Sequence, residues 1–179
     1  DVMGGAVIGR RDLLDTMRED FTNLGPTLDP HAAYLLLRGI KTYYVRWDCQ
    51  CRNALRVADF LQSHPAVAKV RYPGLASDPG HALAARQMDG FGTMVTFDLR
   101  AGTEAGTRFA EALELFSITS SLGSTESLVV PPALQQPRGY TPEQVSWSDI
   151  GPGTARLSIG IEDADDLVAD LGQALALLS

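Results

Sequence analysis

Arg156-Leu157-Ser158-Ile159-Gly160-Ile161-Glu162-Asp163, close to the end of the chain, is the stretch on which the reading turns. Leu157, Ile159 and Ile161 alternate with small or polar residues, the period-2 pattern of a half-buried strand. One arginine stands at the strand's start, and Asp163 is suited to cap a following helix. Some thirty residues earlier lies a second informative stretch, Ser120-Ser121-Leu122-Gly123-Ser124-Thr125-Glu126-Ser127-Leu128, rich in turn formers. An arginine at a strand end beside such a turn is a good receptor for a carboxylate. The planar guanidinium grips both oxygens, and the turn adds hydroxyl or backbone N–H donors.

Working outward, Asp163 caps a final helix whose buried face is Leu167, Leu171, Ala174 and Leu178. Upstream, short strands alternate with helices. Strands are expected over 67–72, over 93–99 with Val95, Phe97 and Leu99 on one face, and over 117–121; helices are expected over 81–88 and 103–115. Residues 130–153, rich in proline and glycine, read as loop with a helical turn after Thr141-Pro142. Nearer the start, Ile40, Tyr44, Trp47, Cys51, Ala54, Ala58 and Leu61 recur in steps of three and four, an amphipathic stripe ending near Ser63, before Pro65. Asp29 followed by Pro30 is an N-cap pair opening a shorter helix that Gly39 interrupts, and residues 10–23 carry weak helical character. Residues 1–9 read as a short buried strand with a glycine-rich turn. No G-K-[ST] follows those glycines, so a phosphate loop is not indicated. Glu126 and Ser127 are expected to cap a helix.

Composition narrows the classes of function. The 179 residues carry a net charge of −7, which argues against nucleic acid or an anionic membrane surface as partner. No apolar run approaches the roughly 20 residues that span a bilayer. Cys49 and Cys51 are too close along a helix to form a disulfide easily, and the three histidines show no spacing that joins them in a metal site. Cys51 reads as a small core residue, and the cytoplasm is the expected compartment.

Both opening stretches resemble the S-L-G-x-x-E-S-L and R-L-S-x-G-I-E-D signatures of the pyridoxal-phosphate enzymes of cysteine and methionine metabolism, the group that includes cystathionine γ-synthase, cystathionine γ-lyase, methionine γ-lyase and O-acetylhomoserine sulfhydrylase. The likeness extends to Asp1-Val2-Met3-Gly4-Gly5-Ala6-Val7, to the region from Gly25-Pro26-Thr27 through Gly39-Ile40-Lys41-Thr42, and to Tyr72-Pro73-Gly74-Leu75. It implies an α/β fold of the aspartate-aminotransferase type. Residues 1–63 would be the end of the large cofactor domain with a long linking helix. Residues 64–179 would form a smaller C-terminal domain, a mainly antiparallel sheet covered by helices.

The resemblance also implies pyridoxal 5'-phosphate as cofactor, with its covalent lysine expected just upstream of Asp1. Lys41 and Lys69, the two lysines present, lie in a helical and a strand pattern unlike a cofactor loop. Arg156 matches the arginine that binds the substrate α-carboxylate, and Ser121 the serine that assists it. Ser120 stands where cystathionine-handling members have a glutamate. Pro132-Ala133-Leu134-Gln135-Gln136-Pro137 replaces their P-A-x-M-T-H. These departures favour a carbon–sulfur lyase acting on a cysteine-like or S-substituted amino acid, such as a cysteine-lyase domain of a biosynthetic assembly line. A cystathionine γ-synthase or O-acetylhomoserine sulfhydrylase-type transferase is the alternative, and a non-catalytic assembly remnant is the alternative of another class. Expected partners are the N-terminal cofactor-binding portion of the same protein, a second copy in a homodimer or homotetramer, and a small amino-acid substrate.

Overall fold

The computed structural model describes residues 2–135, 139 and 141–178, and its contacts divide the chain into two compact units, Asp1–Val45 and Arg46–Ser179. In the first, helix α1 (Arg11–Leu24) ends at Gly25, whose positive φ of 70° closes the last turn with a bond to the Phe21 carbonyl. Helix α2 (Pro30–Ile40) starts as its sequence dictates: the Asp29 carboxylate accepts from the N–H groups of His31 and Ala32, and Pro30 takes the first helical position. Gly39 is absorbed into its last turn. Neither helix has a buried residue. Residues 2–10 form neither helix nor strand and are mostly exposed. The buried strand expected there is absent, because a strand persists only where another pairs with it and all the described strands lie in the second unit.

Helix α3 (Tyr43–Ser63) crosses the division near its first turn. Its stripe is buried only from Gln50 onward, at Gln50, Asn53, Ala54, Val57, Ala58 and Leu61, whereas Ile40 and Tyr44, expected on that face, are exposed. The core that buries it belongs to the second unit.

That unit is built on one five-stranded sheet in the order β1-β2-β5-β4-β3. Its strands are β1 (Val67–Arg71), β2 (Met94–Leu99), β3 (Ser117–Ile118), β4 (Leu128–Val130) and β5 (Thr154–Ser158). Three of the four pairings are antiparallel, and β3 with β4 is parallel, so the mainly antiparallel sheet covered by helices is present. Between the strands lie α4 (His81–Gln87), α5 (Gly102–Ala112), α6 (Pro132–Gln135) and α7 (Pro142–Ser148), and α8 (Ala164–Ala176) closes the chain. The Asp163 carboxylate caps α8 through the Asp165 and Asp166 N–H groups.

Val95, Phe97 and Leu99 of β2 and Ala155 and Leu157 of β5, with Ile159 just beyond, face a core shared with Val57 and Leu61 of α3, Phe109 of α5 and Leu167 and Leu171 of α8. Phe97 and Phe109 meet edge to face, their centroids 5.7 Å apart, an arrangement worth about 0.5–1.5 kcal/mol beyond the area it buries. Three elements of this unit differ from the sequence reading, one of them α6, a single helical turn in residues read as loop. Leu128–Val130 is a fully buried central strand, too short to show a period, and Ser117–Ile118 is all that remains of the strand expected over 117–121. The helical turn after Thr141 is α7, closed by a capping box between Thr141 and Gln144.

Candidate functional site

Strand alternation gives the sheet a second face. Register sets Arg156 opposite Thr96 on one side and Val130 on the other, with Thr154 and Ser158 on the same face two residues away. Towards β1, that face carries an ion-pair network. Arg71 holds Asp98 through both terminal nitrogens, at 3.1 and 2.7 Å, and Thr154 Oγ1 donates to the same carboxylate at 2.5 Å. Asp149, at the end of α7, accepts from Lys69 Nζ and Arg71 Nε, both at 2.6 Å. These two cations hold the Asp149 carboxyl well below the usual carboxylate range, and the two acids raise the Arg71 guanidinium against the opposing effect of its burial.

Arg156 stands apart from that network. Among the described residues no carboxylate pairs with it. Its Nη2 donates to the backbone carbonyls of Ser120 at 2.9 Å and Ser121 at 3.1 Å. Its Nε is buried and meets no acceptor in the structure. A buried guanidinium N–H without a partner costs stability, and an anion's oxygen would relieve it. The sequence-derived residues Arg156, Ser121 and Ser120 are therefore brought together, the two serines contributing carbonyls to the arginine.

The turn that supplies those carbonyls is fastened to the arginine's strand. Gly123, with φ of +77°, donates its N–H to Ser158 Oγ at 3.0 Å, and Ile161 N–H donates to the Thr125 carbonyl at 2.8 Å. Ser127 is fully buried: its hydroxyl donates to Glu162 Oε2 at 2.9 Å and accepts the Gly160 N–H at 2.9 Å, while its own N–H donates to Glu162 Oε1 at 2.6 Å. Gly160 has to be glycine, since a Cβ there would strike the Thr125 carbonyl, the Ser127 nitrogen and the Glu162 carboxylate. The helix-capping role expected of Glu126 and Ser127 is replaced by these contacts, because β4 and no helix follows them. Glu126 is exposed and bonds to the Ser124 hydroxyl.

Two buried amides of α3 complete the frame, and the sequence reading did not find them. Gln50 Nε2 donates to the Ser124 carbonyl at 2.8 Å and to the Ile159 carbonyl at 2.9 Å. Asn53 Nδ2 donates to the carbonyls of Gly160 at 3.2 Å and Glu162 at 2.8 Å. Their signal in the sequence is position: each directly precedes a residue of the apolar stripe, Cys51 or Ala54, on the side of α3 that is buried, where a polar residue has to find partners.

Elsewhere, Tyr72 of the Y-P-G-L stretch is buried, with its hydroxyl donating to the Gly92 carbonyl at 3.0 Å. Desolvation holds that phenol in its protonated form well above its usual range. Cys49 and Cys51 are free and only partly buried, and burial pushes the Cys51 thiol up. No group of metal ligands occurs among the described residues, and none of their helices is long and apolar enough to cross a membrane. Gln136 and Pro137, part of the stretch that departs from P-A-x-M-T-H, lie outside the described residues.

A mainly antiparallel sheet covered by helices thus carries, on its polar face, an arginine with an unpartnered Nε beside a serine–glycine turn. The model of the Cys/Met metabolism PLP-dependent enzyme family matches residues 1–176, and the chain belongs to that family. It is 47% identical to the L-methionine gamma-lyase of Pseudomonas putida and 44% identical to that of Treponema denticola, in each case with 98% of this chain aligned to 44% of the relative. It is 43% identical to the cystathionine gamma-synthase of Mycobacterium leprae, over 98% of this chain and 45% of that one. The chain thus spans less than half the length of the curated relatives it matches. Among solved structures, a putative O-acetylhomoserine (thiol)-lyase of Campylobacter jejuni, which carries a pyridoxyl-lysine phosphate, superposes with a TM-score of 0.84 at 35% identity, covering 91% of this chain and 39% of that one.

The orphaned Nε of Arg156 leaves one donor for an anion's oxygen, and Lys69, the lysine of the same unit, is not placed beside it. Lys41 is exposed at the end of α2, and Lys69 is engaged by Asp149 at the sheet edge.

Proposed function

We propose that the protein to which this chain belongs is a pyridoxal-phosphate-dependent carbon–sulfur lyase acting on a cysteine-like or S-substituted amino acid, and that this chain supplies its grip on the substrate carboxylate. The observation that carries the reading is the buried, unpartnered Nε of Arg156 beside an Nη2 already fixed by two carbonyls. Held in that way, the guanidinium receives a carboxylate without first breaking an internal ion pair, so its affinity is not spent on release. In this reading residues 1–63 close the cofactor domain, residues 64–179 carry the clamp, and the cofactor lysine comes from another segment of the protein.

When bound, pyridoxal phosphate supplies an electron sink for the bonds at the substrate's α-carbon. Arg156 would fix the carboxylate of that carbon, and with it the rotation about the Cα–N bond that selects which bond at Cα is broken. The turn carbonyls of Ser120 and Ser121 hold the guanidinium. The hydroxyl of Ser120, in place of an acid, leaves a pocket without a charge for a distal amino group, which suits short or S-alkyl side chains. The methionine gamma-lyase relatives support elimination at a carbon–sulfur bond. The O-succinylhomoserine sulfhydrylase of Pseudomonas aeruginosa, 39% identical, supports a replacement reaction as the second reading. A homodimer or homotetramer in the cytoplasm is the state in which we expect it to act.

Incubating the intact protein separately with cysteine, methionine and cystathionine, and analysing the products, tests the proposal. Sulfide or a thiol released with a 2-oxo acid is expected. Products formed only when an O-acyl homoserine and a thiol are supplied together would replace the lyase with the transferase.

A further inference from the structure

We infer that Gln50 is a positioning residue for substrate-carboxylate recognition, acting through the 120–124 turn; this rests on the role proposed for Arg156. Gln50 is 6% exposed and stands on α3, far along the chain from both stretches it joins. Its single amide nitrogen spends both hydrogens on main-chain carbonyls, one in the turn (Ser124) and one just past the arginine's strand (Ile159). A side-chain amide that binds two carbonyls of different segments fixes the distance between them. Those segments are the two halves of the clamp: Ser120 and Ser121 hold the guanidinium, and β5 carries it.

The turn is anchored at its two flanks, by Thr119 N–H to the Val129 carbonyl and Ile161 N–H to the Thr125 carbonyl, and only sparsely between them. Residues 120–123 are exposed and lie outside any strand, and Gly123 has the left-handed conformation. Apart from the arginine's own bonds, the hydrogen bonds among the described residues that tie residues 120–124 to β5 and its end are Gly123 N–H to Ser158 Oγ and the Gln50 bridge. Removing the bridge releases the turn, and the guanidinium then samples orientations in which its free N–H groups no longer converge on one carboxylate. Misplacement by about 1 Å is enough to cost a bound group much of its effect, on the order of a hundredfold in rate.

Asn53, one helical turn further on, is the internal control. It is buried to the same degree, at 6% exposed, and also binds two carbonyls, but both, Gly160 and Glu162, lie beyond the strand in one segment. Losing it unsatisfies as many acceptors without freeing the turn.

The experiment uses the full-length protein with its cofactor and compares Gln50→Met, which keeps size and removes both donors, with Asn53→Leu and Arg156→Met. Each variant is titrated calorimetrically with an amino-acid substrate analogue and with the corresponding amine lacking the carboxyl group, and its kcat and KM are measured separately. Gln50→Met is expected to weaken the amino acid about tenfold or more, chiefly in KM, while leaving the amine unchanged. Asn53→Leu is expected to lower the thermal midpoint comparably while keeping the preference for the acid. Should Gln50→Met prove insoluble, Gln50→Asn, which retains the amide but falls one methylene short, is expected to show the same loss in milder form. Equal losses for acid and amine, or the same loss in Asn53→Leu, overturn the positioning role. An Arg156→Met variant that still prefers the acid overturns the carboxylate clamp itself. One that loses the preference while both Gln50 variants keep it overturns only the part assigned to Gln50.

Discussion

The two faces of the sheet are made by the same strands, yet they follow different rules. On one, Val95, Phe97, Ala155, Leu157 and Ile159 are wholly buried against helices, and nothing there needs a partner beyond close packing. On the other, the alternate residues Thr96, Asp98, Thr154, Arg156 and Ser158 are polar, and each burial there has to be matched by a hydrogen bond. Among the described residues, the buried side-chain polar atom left without a partner is Arg156 Nε. Stability is concentrated on the first face, and the second keeps one donor, Arg156 Nε, without a partner in the structure.

The largest expected effect lies on the apolar face. Phe109→Ala opens a cavity under Phe97 and should cost about 3–5 kcal/mol in denaturant unfolding of the intact protein. A loss below about 1 kcal/mol would show that this face does not dominate stability.

Arg156→Met, on the polar face, should do the reverse. It removes an unsatisfied buried N–H, and the Ser120 and Ser121 carbonyls it also releases are on an exposed turn that water can reach, so the unfolding midpoint stays almost unchanged, while kcat/KM for an amino-acid substrate falls on the order of a hundredfold through loss of charge-assisted bonds worth about 1.5–3 kcal/mol each. A large fall in stability without a change in kcat/KM would make the arginine a structural residue.

Ser127→Ala tests the frame between the two motifs. The Gly160 N–H and the Glu162 carboxylate each lose a partner, and a destabilisation of about 1–3 kcal/mol is expected by the same denaturation measurement.

The smallest effect is electrostatic. Asp149 titrates below an ordinary aspartate in the folded protein, chiefly through its bonds to Arg71 and Lys69. Its contribution is therefore complete above the unfolded value near about 3.9 and is lost as pH falls below it. With the side chain 61% exposed, the contribution should not exceed about 1 kcal/mol, so Asp149→Asn should slightly flatten the fall of the thermal midpoint between about pH 5 and 3. An unchanged acid limb in that variant would assign the acid sensitivity to other carboxylates.

Much of this was legible in the residues. Asp29, Thr141 and Asp163 mark helix starts that the structure keeps, because a cap is a local bond between a side chain and N–H groups two or three residues away. The alternation at 93–99 marks a strand because one face of that strand alone is covered by helices. The strand expected over residues 1–9 was not found, and Leu128–Val130 was not anticipated, for one reason: pairing depends on segments distant in sequence. Ser127, read as a cap, is instead a buried bridge to Glu162, thirty-five positions away. Ile40 and Tyr44 continue the stripe of α3 in sequence but lie before the point where core begins to cover it.

By itself, then, the sequence determined the class: the helix caps, the strand period and the two motifs that mark the family are short-range patterns, set by bonds and side chains within a few residues of one another. Only the tertiary structure decided how the motifs work together. The grip of Ser120 and Ser121 on Arg156, the Gln50 bridge and the orphaned Nε each join groups separated by tens of residues, and their distances are fixed by the packing of α3 and the sheet.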